Sequence, residues 1–158
     1  MGHPHIRRSR PARFDTREFL DLVIPRLCLT SNPSALELGT AVGPGALYLA
    51  RHGFATTGWE VISEAIYQAR RIAEAEGLSV TFEKVDATQI PHAGDAFDLI
   101  VDTYCSTHVV FDHERSRIVY SVRARLKPDE YFLITSSVYE SSRRLPYKKV
   151  VDDRNGTV

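Results

Sequence analysis

Cysteine is scarce in this 158-residue chain, which contains only Cys28 and Cys105. Two thiols in different predicted elements frame neither a disulfide scaffold nor a metal site, and they fit a reduced, cytoplasmic setting. Long apolar runs are lacking as well. Stretches such as Phe97 to Val101 are strand-sized, far short of the roughly 20 residues that cross a bilayer, so no membrane partner is expected. An excess of charge is also missing, because 20 basic residues balance 20 acidic ones. A protein that grips a long polyanion carries a basic surplus, which argues against nucleic acid as a partner. Residues 1–13 are polar and basic, without the apolar stretch that a secretory signal needs. They read as a disordered tail in which Arg7, Arg8, Arg10 and Arg13 are solvated and His3 and His5 preorganise no metal site.

What the chain does contain is ordinary for a globular domain: 43% apolar and 25% charged residues, enough for one hydrophobic core over residues 14–158. Asp15 or Thr16 can cap a helix whose Phe19, Leu20, Val23 and Leu27 recur at helical spacing, with Pro25 disturbing its last turn. Strands and helices then alternate. Ala35 to Leu38 reads as a buried strand, Gly39 to Gly45 as a glycine-rich turn and Ala46 to Arg51 as a helix. Ala55 to Glu60 is a second strand. Ser63 opens a helix with Ile66, Ala69, Ile72 and Ala73 on one face, closed by Gly77. Val80 to Val85 and Phe97 to Asp102 are strands three and four. Asp112 to Leu126 is a helix with Ile118, Val119, Val122 and Leu126 facing inward. Lys127-Pro128-Asp129 then turns the chain into a fifth strand, Tyr131 to Ser136. This alternation predicts an α/β three-layer sandwich with a mostly parallel, doubly wound sheet. Ligands of such sheets bind beyond the carboxyl ends of the strands, near the point where strand order reverses.

The turn after the first strand reads Glu37-Leu38-Gly39-Thr40-Ala41-Val42-Gly43-Pro44-Gly45. A dinucleotide-binding turn needs small residues at its first, third and sixth places. Counted from Gly39 the sixth is Pro44, and counted from Gly43 it is Tyr48, so a nicotinamide cofactor does not fit. The other register, an acid followed by small residues at alternate positions, holds Glu37, Gly39, Ala41 and Gly43. Two further acids, Glu60 and Asp86, end the second and third strands. In this combination Leu36 to Ile66 resembles the first motif and the following segment of the class I S-adenosylmethionine-dependent methyltransferases. The likeness runs on through Lys84-Val85-Asp86-Ala87, Phe97 to Asp102 and Leu126-Lys127-Pro128, from about Ser34 to Ser137. Ala41 departs from the family's commoner glycine and narrows the turn.

The resemblance implies S-adenosylmethionine as cofactor and a set of contacts. Glu37, Gly39, Thr40, Ala41 and Gly43 would form the turn beneath its methionine portion. Glu60 would accept from both ribose hydroxyls, with Val61 and Ile62 against the adenine face. Asp86 would take the exocyclic amine and the Ala87 amide a ring nitrogen, while Asp102 would approach the methionine amino group. Asp102-Thr103-Tyr104-Cys105-Ser106-Thr107-His108 follows the fourth strand, where the family's methyl group faces its acceptor. His108 there is either a general base or a surface histidine. Tyr104 either walls the sulfonium by a cation–π contact or packs in the core. Motifs of several subclasses are missing: no prolines of the exocyclic-amine DNA enzymes, no Pro-Cys nucleophile, no Asp-Asn metal pair, no pair of glutamates after the fourth strand. A small-molecule acceptor is left by elimination.

The family sheet has seven strands, and only 21 residues follow Ser137. Lys148 to Val151 and Thr157-Val158 flank an Asn-Gly turn, so the C-terminal hairpin is expected to be short or absent. The fifth strand would then be an open edge, through which self-association into a homo-oligomer is expected. The same shortness raises an alternative to an enzyme, namely a non-catalytic or truncated module that holds S-adenosylmethionine or S-adenosylhomocysteine and acts through a partner protein.

Overall fold

The computed structural model describes residues 16–91 and 93–136. Among them the expected alternation folds into five strands and four α-helices. These are α1 (Arg17–Val23), β1 (Ser34–Leu38), α2 (Pro44–Arg51), β2 (Ala55–Glu60), α3 (Ser63–Ala75), β3 (Val80–Lys84), β4 (Phe97–Thr103), α4 (Asp112–Arg125) and β5 (Leu126–Thr135). The sheet runs β3-β2-β1-β4-β5, and every pairing is parallel. Strand order therefore reverses beside β1, as a doubly wound sheet requires.

The two faces bury different helices. Leu20 of α1 and Tyr48 and Leu49 of α2 pack with Ala35, Leu99 and Val101. Ala46 and Leu47 of α2 meet Ile66, Ala69 and Ala73 of α3 over Phe82. On the opposite face Ile118 and Val122 of α4 cover Leu36, Leu38, Trp59 and Ile100. Strand β1 is covered on both faces, which explains why its apolar run is broken only at Glu37.

Local chemistry sets the ends of the elements. Pro44 opens α2, where a missing amide costs nothing. At the end of α3 the amides of Gly77 and Leu78 return to the carbonyls of Glu74 and Ala73, at 3.1 and 2.9 Å. That is the glycine-closed C-terminus the sequence predicts. Pro25 lies in a separate 3-10 turn, Ile24–Arg26, after α1. At the foot of the sheet Asp98 accepts from the amide and hydroxyl of Ser34 and from Lys127 Nζ, clamping β1, β4 and β5 together. Arg125 lies against the rings of Trp59 and Phe97 and donates to the carbonyls of Pro91, Ala93 and Asp95, fixing the entry to β4.

Four expectations are corrected. Thr16 makes no capping bond through its side chain; only its carbonyl is used, by Leu20. Val119 and Ile72 are exposed, because each sits at the margin of its helix's apolar face. Lys127-Pro128-Asp129 does not precede the fifth strand but bulges within it. Phe97 pairs with Leu126 and Leu99 with Tyr131, so the intervening residues loop out with Asp129 at φ +61°. Strand β3 stops at Lys84. Asp15, the 1–13 tail and the short hairpin expected near the C-terminus lie outside the described residues. No described helix is long and apolar enough to cross a membrane.

Candidate functional site

The carboxyl ends of β1 to β4 carry the polar residues singled out in the sequence. Beyond Leu38 the backbone takes positive φ at three alternate positions: Gly39 at +59°, Ala41 at +49° and Gly43 at +89°. A left-handed conformation costs an L-residue about 1–2 kcal/mol, so Ala41 carries strain that glycine would not. The turn is pinned by the Thr40 amide to the Trp59 carbonyl at 2.9 Å and by the Gly43 amide to the Thr40 carbonyl at 2.8 Å.

Glu37 supports this turn from below. Its side chain is 1% exposed. Oε2 accepts from the Thr40 hydroxyl at 2.5 Å and the Ala46 amide at 2.7 Å, and Oε1 accepts from the Thr103 hydroxyl at 2.8 Å. Burial pushes its carboxyl up to about 7, against the opposing pull of those donors. Glu37 therefore shapes the turn rather than presenting oxygens to solvent. Gly45, which the motif count leaves out, is required by it, since a Cβ there would lie 1.9 Å from Glu37 Oε1.

Glu60, at the tip of β2, reaches across to the same turn. Its Oε2 accepts from the Ala41 amide at 2.9 Å, and Oε1 from the amides of Val61 and Ile62 at 2.8 and 2.9 Å. Beside it Val61 and Ile62 are exposed apolar side chains. Asp86, just past β3, caps the 3-10 turn Ala87–Gln89 through the Thr88 amide and hydroxyl, both at 2.8 Å, and accepts from the Gln89 side-chain Nε2 at 3.2 Å. Asp102, fully buried at the end of β4, accepts from the Ser106 amide. Among the described residues none of these four carboxylates pairs with a lysine or arginine; their donors are neutral amides and hydroxyls.

The four acids come from four adjacent strands, and one sulfur reports their convergence. The Cys105 thiol is pushed up to about 12, first by burial and then by the negative charges of Asp102, Glu60, Glu37 and Asp86. Its Sγ would stand 2.7 Å from a Cβ at Gly39, so the loop after β4 lies directly on the glycine turn. A thiol held neutral in this way is a poor nucleophile. Tyr104 precedes it in a left-handed conformation, φ +68°, with its amide on the Thr135 carbonyl at 3.3 Å. For so bulky a residue that conformation is strained. His108 closes the 3-10 turn Ser106–His108 and is exposed. Exposed Val110 and Phe111 follow it.

Glu60, Asp86, Asp102 and the turn Gly39–Gly43 are thus brought to one end of the sheet. Thr103, Ser106, Thr88 and Gly45 were not singled out in the sequence. Thr103 had a signal: strand alternation places it on the same face as Leu99 and Val101, the face toward which Glu37 also points.

Residues 35–129 match the family model described as a methyltransferase domain. The S-adenosyl-L-methionine-dependent Diels-Alderase iccD of Talaromyces variabilis is 41% identical over 63 residues, which span 38% of this chain and 22% of that protein. The ubiquinone/menaquinone biosynthesis C-methyltransferase UbiE of Bdellovibrio bacteriovorus is 30% identical over 100 residues, 63% of this chain and 38% of that protein. The crystal structure of a SAM-dependent methyltransferase from Methanosarcina mazei superimposes with a TM-score of 0.65 at 30% identity. That match covers 71% of this chain and 56% of the other. The chain therefore spans well under half the length of these two curated relatives.

Proposed function

Because this chain belongs to the methyltransferase domain family, we propose that it binds S-adenosylmethionine at the carboxyl end of its sheet and transfers the methyl group to a small-molecule acceptor. One observation carries this reading. Glu37, Glu60, Asp86 and Asp102 stand at the carboxyl ends of four adjacent strands, bonded to amides and hydroxyls and to no cation among the described residues, with the loop after β4 seated on the Gly39–Gly43 turn between them. Such a field favours a cationic ligand, and a sulfonium bearing an ammonium group is one.

The residues fit the group. Glu60 has about four acceptor positions and uses three of them on backbone amides. It would take the ribose hydroxyls with its free position and by yielding one amide. Exposed Val61 and Ile62 offer an apolar surface for the adenine, with Asp86 and the Ala87 amide at its polar edge. Asp102 would face the methionine ammonium, and Glu37 holds Thr40 and the turn in shape. When bound, S-adenosylmethionine supplies an activated methyl group on a sulfonium with a good neutral leaving group. The chain's task is then mainly to align acceptor and methyl carbon and to keep water out, which can account for roughly 7–11 kcal/mol of a barrier. Tyr104, the residue before Cys105, would wall that space. His108 serves as base where the acceptor has a proton to lose. The unpaired thiols of Cys28 and Cys105 support a reducing, cytoplasmic setting.

Titration calorimetry with S-adenosylmethionine, S-adenosylhomocysteine and NAD tests the cofactor. The first two should bind and NAD should not; binding of NAD alone sinks the reading. Radiolabelled methyl transfer into a broad panel of small acceptors tests the activity. Cofactor binding with no transfer to any acceptor would favour the module that acts through a partner.

A further inference from the structure

We propose that Thr103 is a positioning residue whose hydroxyl locks the glycine turn to the acceptor-facing loop, acting through Glu37. This rests on the reading of the sheet end as a cofactor site. Thr103 is the last residue of β4, and its hydroxyl is the donor to Glu37 Oε1 at 2.8 Å. The other oxygen of that carboxylate holds the Thr40 hydroxyl, inside the turn, and the Ala46 amide, in the first coil of α2. A single buried side chain therefore gathers the exit of β4, the turn and the start of α2.

Glu37 has no slack in which to rearrange. Gly45 touches it so closely that a Cβ would overlap Oε1. If the Thr103 hydroxyl is lost, Oε1 has no donor among the described residues. A buried carboxylate oxygen without a donor is unfavourable, so the side chain must rotate or take up a proton. Either response disturbs the Thr40 and Ala46 bonds and with them the turn. The loop on the other side is affected too. Directly after Thr103 come left-handed Tyr104 and Cys105, which is seated against Gly39, and then Ser106, tied to Asp102. Thr103 precedes the strained residue and Ser106 follows it, so the two bonds bracket Tyr104 and set its direction.

The experiment compares Thr103→Ser, Thr103→Ala and Thr103→Val in the full chain, by calorimetric titration with S-adenosylhomocysteine and by amide hydrogen exchange without ligand. Thr103→Ser should bind within about twofold of the unsubstituted chain, whereas Thr103→Ala and Thr103→Val should bind about tenfold more weakly. Exchange at Ala46 should quicken only in the variants that lack the hydroxyl. Because serine and alanine differ by the hydroxyl alone, that pair decides the matter even if the valine variant fails to fold. Equal affinity of Thr103→Ser and Thr103→Ala, whether both strong or both weak, overturns the proposal, since bulk and not the hydroxyl would then matter. Absence of binding by the unsubstituted chain is a different failure, that of the cofactor site itself. In that event unchanged Ala46 exchange in Thr103→Ala would also dismiss the lock.

Discussion

The amide of Ala41 donates to Glu60 Oε2 across 2.9 Å, joining the turn after β1 to the tip of β2. The same carboxylate holds the amides of Val61 and Ile62, so Glu60 organises the strand ends before any ligand arrives. Glu60→Ala should weaken S-adenosylmethionine binding by about 2–4 kcal/mol through loss of charge-assisted bonds. Glu60→Gln, which keeps one carbonyl acceptor, should lose less. Calorimetry of both variants measures the order, and unchanged affinity in Glu60→Ala removes the ribose assignment.

Ala41 at φ +49° predicts a stabilising substitution. Ala41→Gly relieves the left-handed strain while loosening the unfolded chain, and should raise stability by about 0.5–1 kcal/mol net. Urea unfolding with an unchanged slope is the check. A destabilised glycine variant would mean that the alanine methyl makes contacts worth more than its strain.

Glu37 predicts a pH dependence of folding. Its carboxyl lies near 7 in the folded chain against 4.5 when unperturbed, so the unfolded chain ionises first as pH rises. Below pH 4.5 the group is protonated in both states and costs nothing. Between 4.5 and 7 stability falls, by about 3 kcal/mol in total, and above 7 the effect is constant. Glu37→Gln should flatten the stability profile in that window. An identical slope in the variant would contradict the burial argument.

Asp98 works in the opposite sense. Burial raises its carboxyl, but the bonds from Lys127 and Ser34 outweigh this and hold it near 2 against 3.8. Its contribution is present above pH 4 and lost as pH falls toward 2, and amounts to about 2 kcal/mol. Asp98→Asn should lose this stability at neutral pH and show a shallower acid transition, measured by unfolding at pH 7, 4 and 2.5.

The layered fold was legible because its signals are local. Apolar runs of strand length and glycines at helix ends each act within a few residues, whereas Pro44 was read as part of the glycine turn and proves to open α2. The acids Glu60, Asp86 and Asp102 were legible as strand-tip residues because each follows such a run. What each side chain holds in the folded chain was not. Glu37 points inward because alternation along β1 turns it toward α2, and its partner Thr103 lies 66 residues away. Left-handed Tyr104 carries no turn signal. The bulge at Lys127 to Glu130 reads locally as a turn, and only pairing with β4 shows that the strand has already begun. Val119 fits the apolar period of α4 yet faces solvent, because the sheet covers only the stripe around Ile118 and Val122.

A crystal structure of the chain with S-adenosylhomocysteine addresses the central claim most directly. The ribose oxygens should lie within hydrogen-bond distance of Glu60, and the adenine amine should meet Asp86 with the ring against Val61. A nucleoside bound elsewhere, or Glu60 still holding all three backbone amides with no ribose at its oxygens, would contradict the account.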